Sequence, residues 1–174
     1  GKLNKIRAVT LAGCLMCAPA VAQMLVGTPG SPVHMIATDL AVLEAQDVRK
    51  ELNCTVTPEK PLLGFDLRFH AGFTVVLPLK DLAGSDNVLN ILFRVTPADR
   101  SGEPSYFVQH YVVPKIDEDA GGEAMLEGVI DLGEGKYHVD WLIRDRVERV
   151  CSFYWDMNAE LPSRDREIQM EMPM

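Results

Sequence analysis

Positive charge is scarce in this 174-residue sequence: Lys and Arg number 17 against 25 Asp and Glu, a formal net charge of −8. Phosphate recognition draws on clustered Lys and Arg, so nucleic acid and anionic lipid surfaces are excluded as the main partner. Catalytic signatures are missing too. His34, His70, His110 and His138 stand alone, outside HxH or HExxH spacing, so no metal pair on one helix face can be read. His70 and His138 fall on polar faces of predicted strands, where a solvated imidazole is the ordinary expectation. There is no GxSxG, and the serines lie mainly in turn-like contexts. These absences point to a non-catalytic protein that needs no cofactor.

What is present begins with an address. Lys2, Lys5 and Arg7 precede an uncharged apolar run over residues 8–17, Pro19 breaks it, and Ala20-Val21-Ala22 supplies small residues before Gln23. This is the three-part layout of a secretory signal peptide. The run is too short to cross a bilayer, which takes about twenty residues, and no other stretch qualifies as a transmembrane segment. Leu11-Ala12-Gly13-Cys14 also matches a bacterial lipobox, which makes Cys14 a candidate lipid anchor. Cleavage after Ala22 would remove three of the 17 cations and none of the 25 acids, so the net charge would sharpen from −8 to −11. The expectation is an exported protein, periplasmic or extracellular.

Cysteine usage agrees with that address. Cys14 and Cys17 would leave with the signal, and Cys54 and Cys151 would remain. An even pair in an oxidising compartment is most simply a disulfide, with two separate buried thiols as the alternative.

From Leu52 onward the pattern has period two, with turn signals at regular spacing. Residues 64–72 place Phe65, Leu67 and Phe69 opposite Asp66, Arg68 and His70, which predicts a half-buried strand with a bend or bulge at Gly72. Residues 84–87 predict a turn, 88–96 a strand with Leu89, Ile91, Phe93 and Val95 on one face, and 105–113 another strand. Residues 137–143 alternate Tyr137, Val139, Trp141 and Ile143 after a Gly turn, and 147–155 return as the hairpin partner. Strands every eight to twelve residues or so indicate an all-β antiparallel sandwich or barrel. Residues 37–52 fit either a helix or an edge strand.

At Tyr137 the sequence resembles the sixth strand of immunoglobulin-like modules, where a tyrosine follows a Gly or Asp turn and its hydroxyl ties back to the preceding corner. The resemblance covers about residues 52–156 and implies an immunoglobulin-like β-sandwich with Tyr137 and Trp141 as its structural corner. It departs from antibody domains in one respect: Val139 stands where their second cysteine would be, so a Cys54–Cys151 bridge would not be the usual inter-sheet one. More loosely, the chain looks like the amino-terminal part of exported bacterial proteins in which a von Willebrand A-like segment follows. The implied organisation is a signal peptide over 1–22, an N-terminal segment over 23–51, the sandwich over 52–157, and a tail or linker over 158–174.

Two metal hints are weaker. Asp117, Asp119 and Glu123 concentrate hard oxygen ligands beside Gly121 and Gly122, as calcium loops require, although a solvated charged loop explains them too. Met170, Met172 and Met174 have a thioether spacing suited to Cu(I), which strand alternation explains equally. The function expected from these readings is an exported immunoglobulin-like module that makes protein contacts at the bacterial envelope or outside the cell, through loops such as 99–103 and 117–123. Two other readings stand beside it: a small-ligand or glycan binder using Phe107, Tyr111, Tyr154 and Trp155, and an accessory domain of a larger protein.

Overall fold

The computed structural model describes residues 25–27, 37–84, 87–99 and 102–161, the first three by backbone alone. The signal and lipobox readings, His34, the methionine triplet and part of the 84–87 turn lie outside the described residues. The strands are β1 (Leu25–Gly27), β2 (Thr55–Leu63), β3 (Phe69–Pro78), β4 (Val88–Pro97), β5 (Ser105–Val112), β6 (Glu123–Leu132), β7 (Gly135–Arg144) and β8 (Val150–Ala159), of which β4, β5, β7 and β8 correspond to period-two runs read in the sequence. One helix, α1 (Ala37–Ala45), precedes β2, and a short 3₁₀ turn, Leu79–Leu82, follows β3.

The strands form two antiparallel sheets packed as a β-sandwich. One has the order β1-β5-β4-β7-β8, the other β2-β3-β6. Leu89, Ile91, Phe93 and Val95 of β4 and Val139, Trp141 and Ile143 of β7 face Phe73 and Val75 of β3 across the apolar core. The rings of Phe93 and Trp141 each meet Phe73 edge-on at 5.5 Å, and Phe107 stacks on Phe93 at 4.9 Å. Such pairs add about 0.5–1.5 kcal/mol each beyond the area they bury. The ring of Phe73 lies on Gly128, where a Cβ would sit 2.4 Å from it. Gly128 is thus the one position in β6 where a side chain would displace the core.

The ambiguous segment at residues 37–52 resolves into helix α1, which lies on the outer face of the larger sheet. Leu43, fully buried, closes a second apolar cluster with Leu92, Val108, Leu142 and Val150. With a partner on both faces, β4 and β7 bury consecutive residues such as Ile91-Leu92-Phe93 and Trp141-Leu142-Ile143. The helix ends with Gln46 in the left-handed region (φ 52°), where the Gln46 N–H donates to the Leu43 carbonyl and the Asp47 N–H to that of Val42. β1 pairs with β5, so the sheet takes in residues well before Leu52.

Two local expectations are corrected. Residues 64–68 are not strand: they form the turn between β2 and β3, with Phe65 and Leu67 turned to solvent. Alternation there reflects a tip that carries apolar side chains outward, which period two cannot tell from burial. β3 also runs through Gly72 without a break. The irregularity lies opposite, in β2, where the register shifts between Glu59 and Leu62.

Cys54 and Cys151 form a disulfide with Cα atoms 6.3 Å apart. It joins the residue before β2 to β8 and so ties an edge of each sheet together at one end of the sandwich. The opposite end carries the β2–β3 turn, the β6–β7 turn and the loop after Pro97, because Phe69 pairs with Leu132 and Pro97 with Tyr137.

Candidate functional site

Exposed apolar side chains such as Val112, Met125 and Phe153 are scattered over the described surface, but four of them lie close together in sequence at the β2–β3 turn. Leu62 is 66% exposed and Leu67 78%, Phe65 is wholly exposed, and Leu63 is partly so. A single exposed leucine needs no explanation, but four large apolar residues within six positions do. The turn that carries them is well defined. The Gly64 N–H donates to the Arg68 carbonyl at 2.8 Å, and the Leu67 N–H donates to the Gly64 carbonyl at 3.1 Å. Leu67 adopts φ 62°, a left-handed conformation that costs a leucine about 1–2 kcal/mol and that a glycine or asparagine would take readily. A residue that is both strained and apolar in water is the kind of outlier that points to function.

Polar groups hold this turn from beneath. The Asp66 carboxylate accepts the Arg68 backbone N–H at 3.2 Å and faces His70 Nε2 at 3.0 Å. His70 Nδ1 faces Asp131 of β6 at 2.7 Å, and Arg68 approaches the same carboxylate at 4.0 Å. The hydrogen bond with Asp66, then that with Asp131, raises the His70 pKa, and the hydrogen bond with His70 lowers that of Asp66. Gly64 makes room for the ring: a Cβ there would stand 2.4 Å from His70 Nε2. His70 therefore clamps carboxylates and is not merely solvated.

The same end of the sandwich holds two shallow clefts that share Tyr137. One, of about 520 Å³, is lined by Pro97, Asp99, Glu134, Lys136 and Glu160. The other, of about 200 Å³, lies over Val95, Phe107 and Leu132. The Tyr137 hydroxyl donates to the Gly133 carbonyl at 3.0 Å, four residues upstream, as a corner tyrosine does. Burial, with the nearby Asp99 charge, raises its pKa. Trp141 is fully buried in the core.

A second polar cluster lies on the outer face of the larger sheet, beside the end of α1. Asp140 is fully buried and accepts from Arg94 Nε at 2.8 Å and Gln46 Nε2 at 3.2 Å. His138 stands between Asp140, at 3.2 Å, and Asp156, at 2.6 Å. Asp39 of α1 pairs with Arg144 of β7. Tyr154 donates to the carbonyls of Asp47 and Val42 at 2.8 and 3.2 Å. Arg144 and Tyr154 bond to α1 itself, and Asp140 and His138 to Gln46 just after it, so these members anchor the helix to the sheet.

The remaining predicted residues are dispersed. Asp117, Asp119 and Glu123 do not converge: among the described residues no three His, Cys, Asp or Glu are grouped to hold a metal ion. Their loop lies at the disulfide end, across the molecule from Asp99 and Glu103, so the described residues of the two loops cannot share one contact surface. Phe107 is core, Tyr111 is half-buried with its hydroxyl on the Glu127 carbonyl, and Tyr154 is committed to α1. Trp155 packs against the core edge beside Phe153. These aromatics divide between both faces of the sheet and form no common groove. Among the described residues no helix is long and apolar enough to cross a membrane.

No protein-family model matches this sequence, and no curated protein matches it. Among solved structures the chain is similar to Northeast Structural Genomics Consortium target SoR45, with 13% identity, 66% of this chain and 90% of that chain covered, and a TM-score of 0.36. That likeness is too slight to carry a function across.

Proposed function

We propose that this chain is an exported, non-catalytic immunoglobulin-like module that makes protein contacts at the bacterial envelope or outside the cell. Its contact surface is the β2–β3 tip. The observation that carries this reading is the solvent exposure of Phe65 and Leu67 on one hydrogen-bonded turn and of Leu62 and Leu63 at the end of β2 that leads into it. A convex apolar tip fits a partner that offers an apolar recess, and Phe65 is the anchor of the kind that dominates such contacts. The immunoglobulin-like reading is supported by strand order. Counted from β2, the strands β2, β3 and β6 occupy one sheet as the first, second and fifth strands of such modules do, β4, β7 and β8 share the other, and Tyr137 lies near the start of β7, while the fourth strand, β5, joins the sheet of β4 and departs from the constant-type arrangement. The departure at Val139 stands, since the disulfide joins the first and last of these seven strands.

The test is site-specific photo-crosslinking in exporting bacterial cells, with a photoreactive phenylalanine analogue in place of Phe65 and, separately, of Phe153. A discrete adduct of constant mass at position 65, absent at 153 and lost when Leu67→Asp is added, is expected. Equal adducts at both positions, or none at 65, would overturn the reading.

A further inference from the structure

We infer that the tip is a pH-gated contact: doubly protonated His70, held between Asp66 and Asp131, locks the 64–68 turn that presents Phe65 and Leu67, and loss of one ring proton releases it. The inference rests on the reading of this tip as the contact surface.

The geometry demands two donors from one ring. Nδ1 lies 2.7 Å from an Asp131 oxygen and Nε2 lies 3.0 Å from an Asp66 oxygen. Ionised carboxylates only accept, and a neutral imidazole carries a single N–H. The imidazolium therefore satisfies both contacts, whereas the neutral ring must turn a lone pair toward one carboxylate. Asp66 is the partner at risk, because it belongs to the turn while Asp131 is fixed in β6, directly across from His70 in the register. Asp66 is also the group that accepts the Arg68 N–H inside the turn, so its release loosens the backbone that carries Leu67.

The other groups around His70 do not take over its role. Arg68 approaches Asp131, not Asp66. From β2 the residue in register is Leu62, which is uncharged, and Glu59 of β2 bonds to the Thr74 hydroxyl. The raised pKa of His70 agrees with a ring that binds its second proton through these carboxylates. The sign follows. The His70 contribution is complete below the ordinary value of 6.5 and is lost as pH rises through the raised value. The Asp66 contribution is complete above its ordinary 3.8 and is lost as pH falls through the lowered value. The tip is locked between those limits, and an ordered tip binds without the cost of ordering it first. Contact is strongest in mildly acidic medium and weakens as the medium turns alkaline.

Two readouts on the full chain separate the lock from the contact. Hydrogen exchange at the Leu67 and Arg68 amides, corrected for the intrinsic rate, is followed across the His70 titration seen by NMR, with the amide of Ile91 as an internal reference. Exchange at the tip is expected to rise about two- to fivefold on deprotonation, the range an exposed ion pair supports, and crosslinking from position 65 to fall in step. Two variants should abolish the step: His70→Gln, which does not titrate, and Gly64→Ala, whose Cβ would stand 2.4 Å from the His70 ring and 2.6 Å from the Asp66 carboxylate oxygen and so parts the pair without removing a titrating group. A persistent step in either variant, or tip exchange in the native chain that ignores the His70 titration, overturns the inference and leaves the contact reading standing. A clear step in exchange with crosslinking unchanged overturns the gating of contact. A step in exchange with no crosslink at any pH overturns the contact reading and keeps only the lock.

Discussion

Glu148 and Leu67 share an unfavourable backbone conformation, with φ 67° and 62°, and comparing them separates structural strain from functional strain. Glu148 is exposed and sits in the turn between β7 and β8, where its N–H donates to the Asp145 carbonyl. Replacing it by glycine should stabilise the protein by about 1 kcal/mol, since glycine takes the left-handed region without a Cβ clash. Thermal melting checks this, and an unchanged or lower midpoint would refute it. Leu67→Gly should raise the midpoint by a similar amount for the same reason, while position 65 loses crosslinking. Stability gained at the expense of contact is the behaviour expected where strain serves binding.

At the scale of elements, α1 is held by little backbone pairing and much side-chain anchorage. Leu43 supplies its apolar contact with Leu92, Val108, Leu142 and Val150, and Asp39 its ion pair with Arg144. Leu43→Ala should cost about 3 kcal/mol. Amides at Gln46 and Asp47 should lose exchange protection before those of β4, and loss in the opposite order would refute this docking. The helix also shows where sequence reading ran out. Residues 37–52 carry no strong apolar stripe, because α1 buries one leucine fully and meets the sheet largely through charge. β4 and β7 were legible because the row of alternate apolar residues toward Phe73 stays complete even though Leu92 and Leu142 are buried under the helix. The 64–68 tip was misread for the opposite reason: Phe65, Leu67 and Phe69 keep the alternation of a strand, and only Phe69 enters the core. The cue available was Gly64, whose missing side chain admits the ring of His70. The Tyr137–Gly133 hydrogen bond closes within one short segment, whereas the His70 clamp needs Asp131 from a strand 61 residues away.

The whole molecule separates its staple from its contact. The Cys54–Cys151 bridge closes a span of 97 residues, and in the chain-entropy model such a loop stabilises the fold by about 4–5 kcal/mol. The even pair of cysteines left once Cys14 and Cys17 are assigned to the expected signal made the bridge legible in the sequence; that it ties two sheet edges was not, because the order of strands decides which edges meet. β2 runs from the bridge to the tip, roughly 26 Å at the rise of an extended chain. Sites so far apart, with no shared partner, act additively. Replacing both cysteines by alanine should therefore lower the urea midpoint substantially. Below the unfolding transition it should leave both the His70 titration and the pH step in tip exchange where they were. If the step moved with the staple, the tip would be coupled to the whole sandwich, and its lock could not reside in the three side chains of Asp66, His70 and Asp131. If the step stayed while global stability fell, the molecule would be a rigid, cross-linked scaffold with an independent, proton-sensitive contact at its far end.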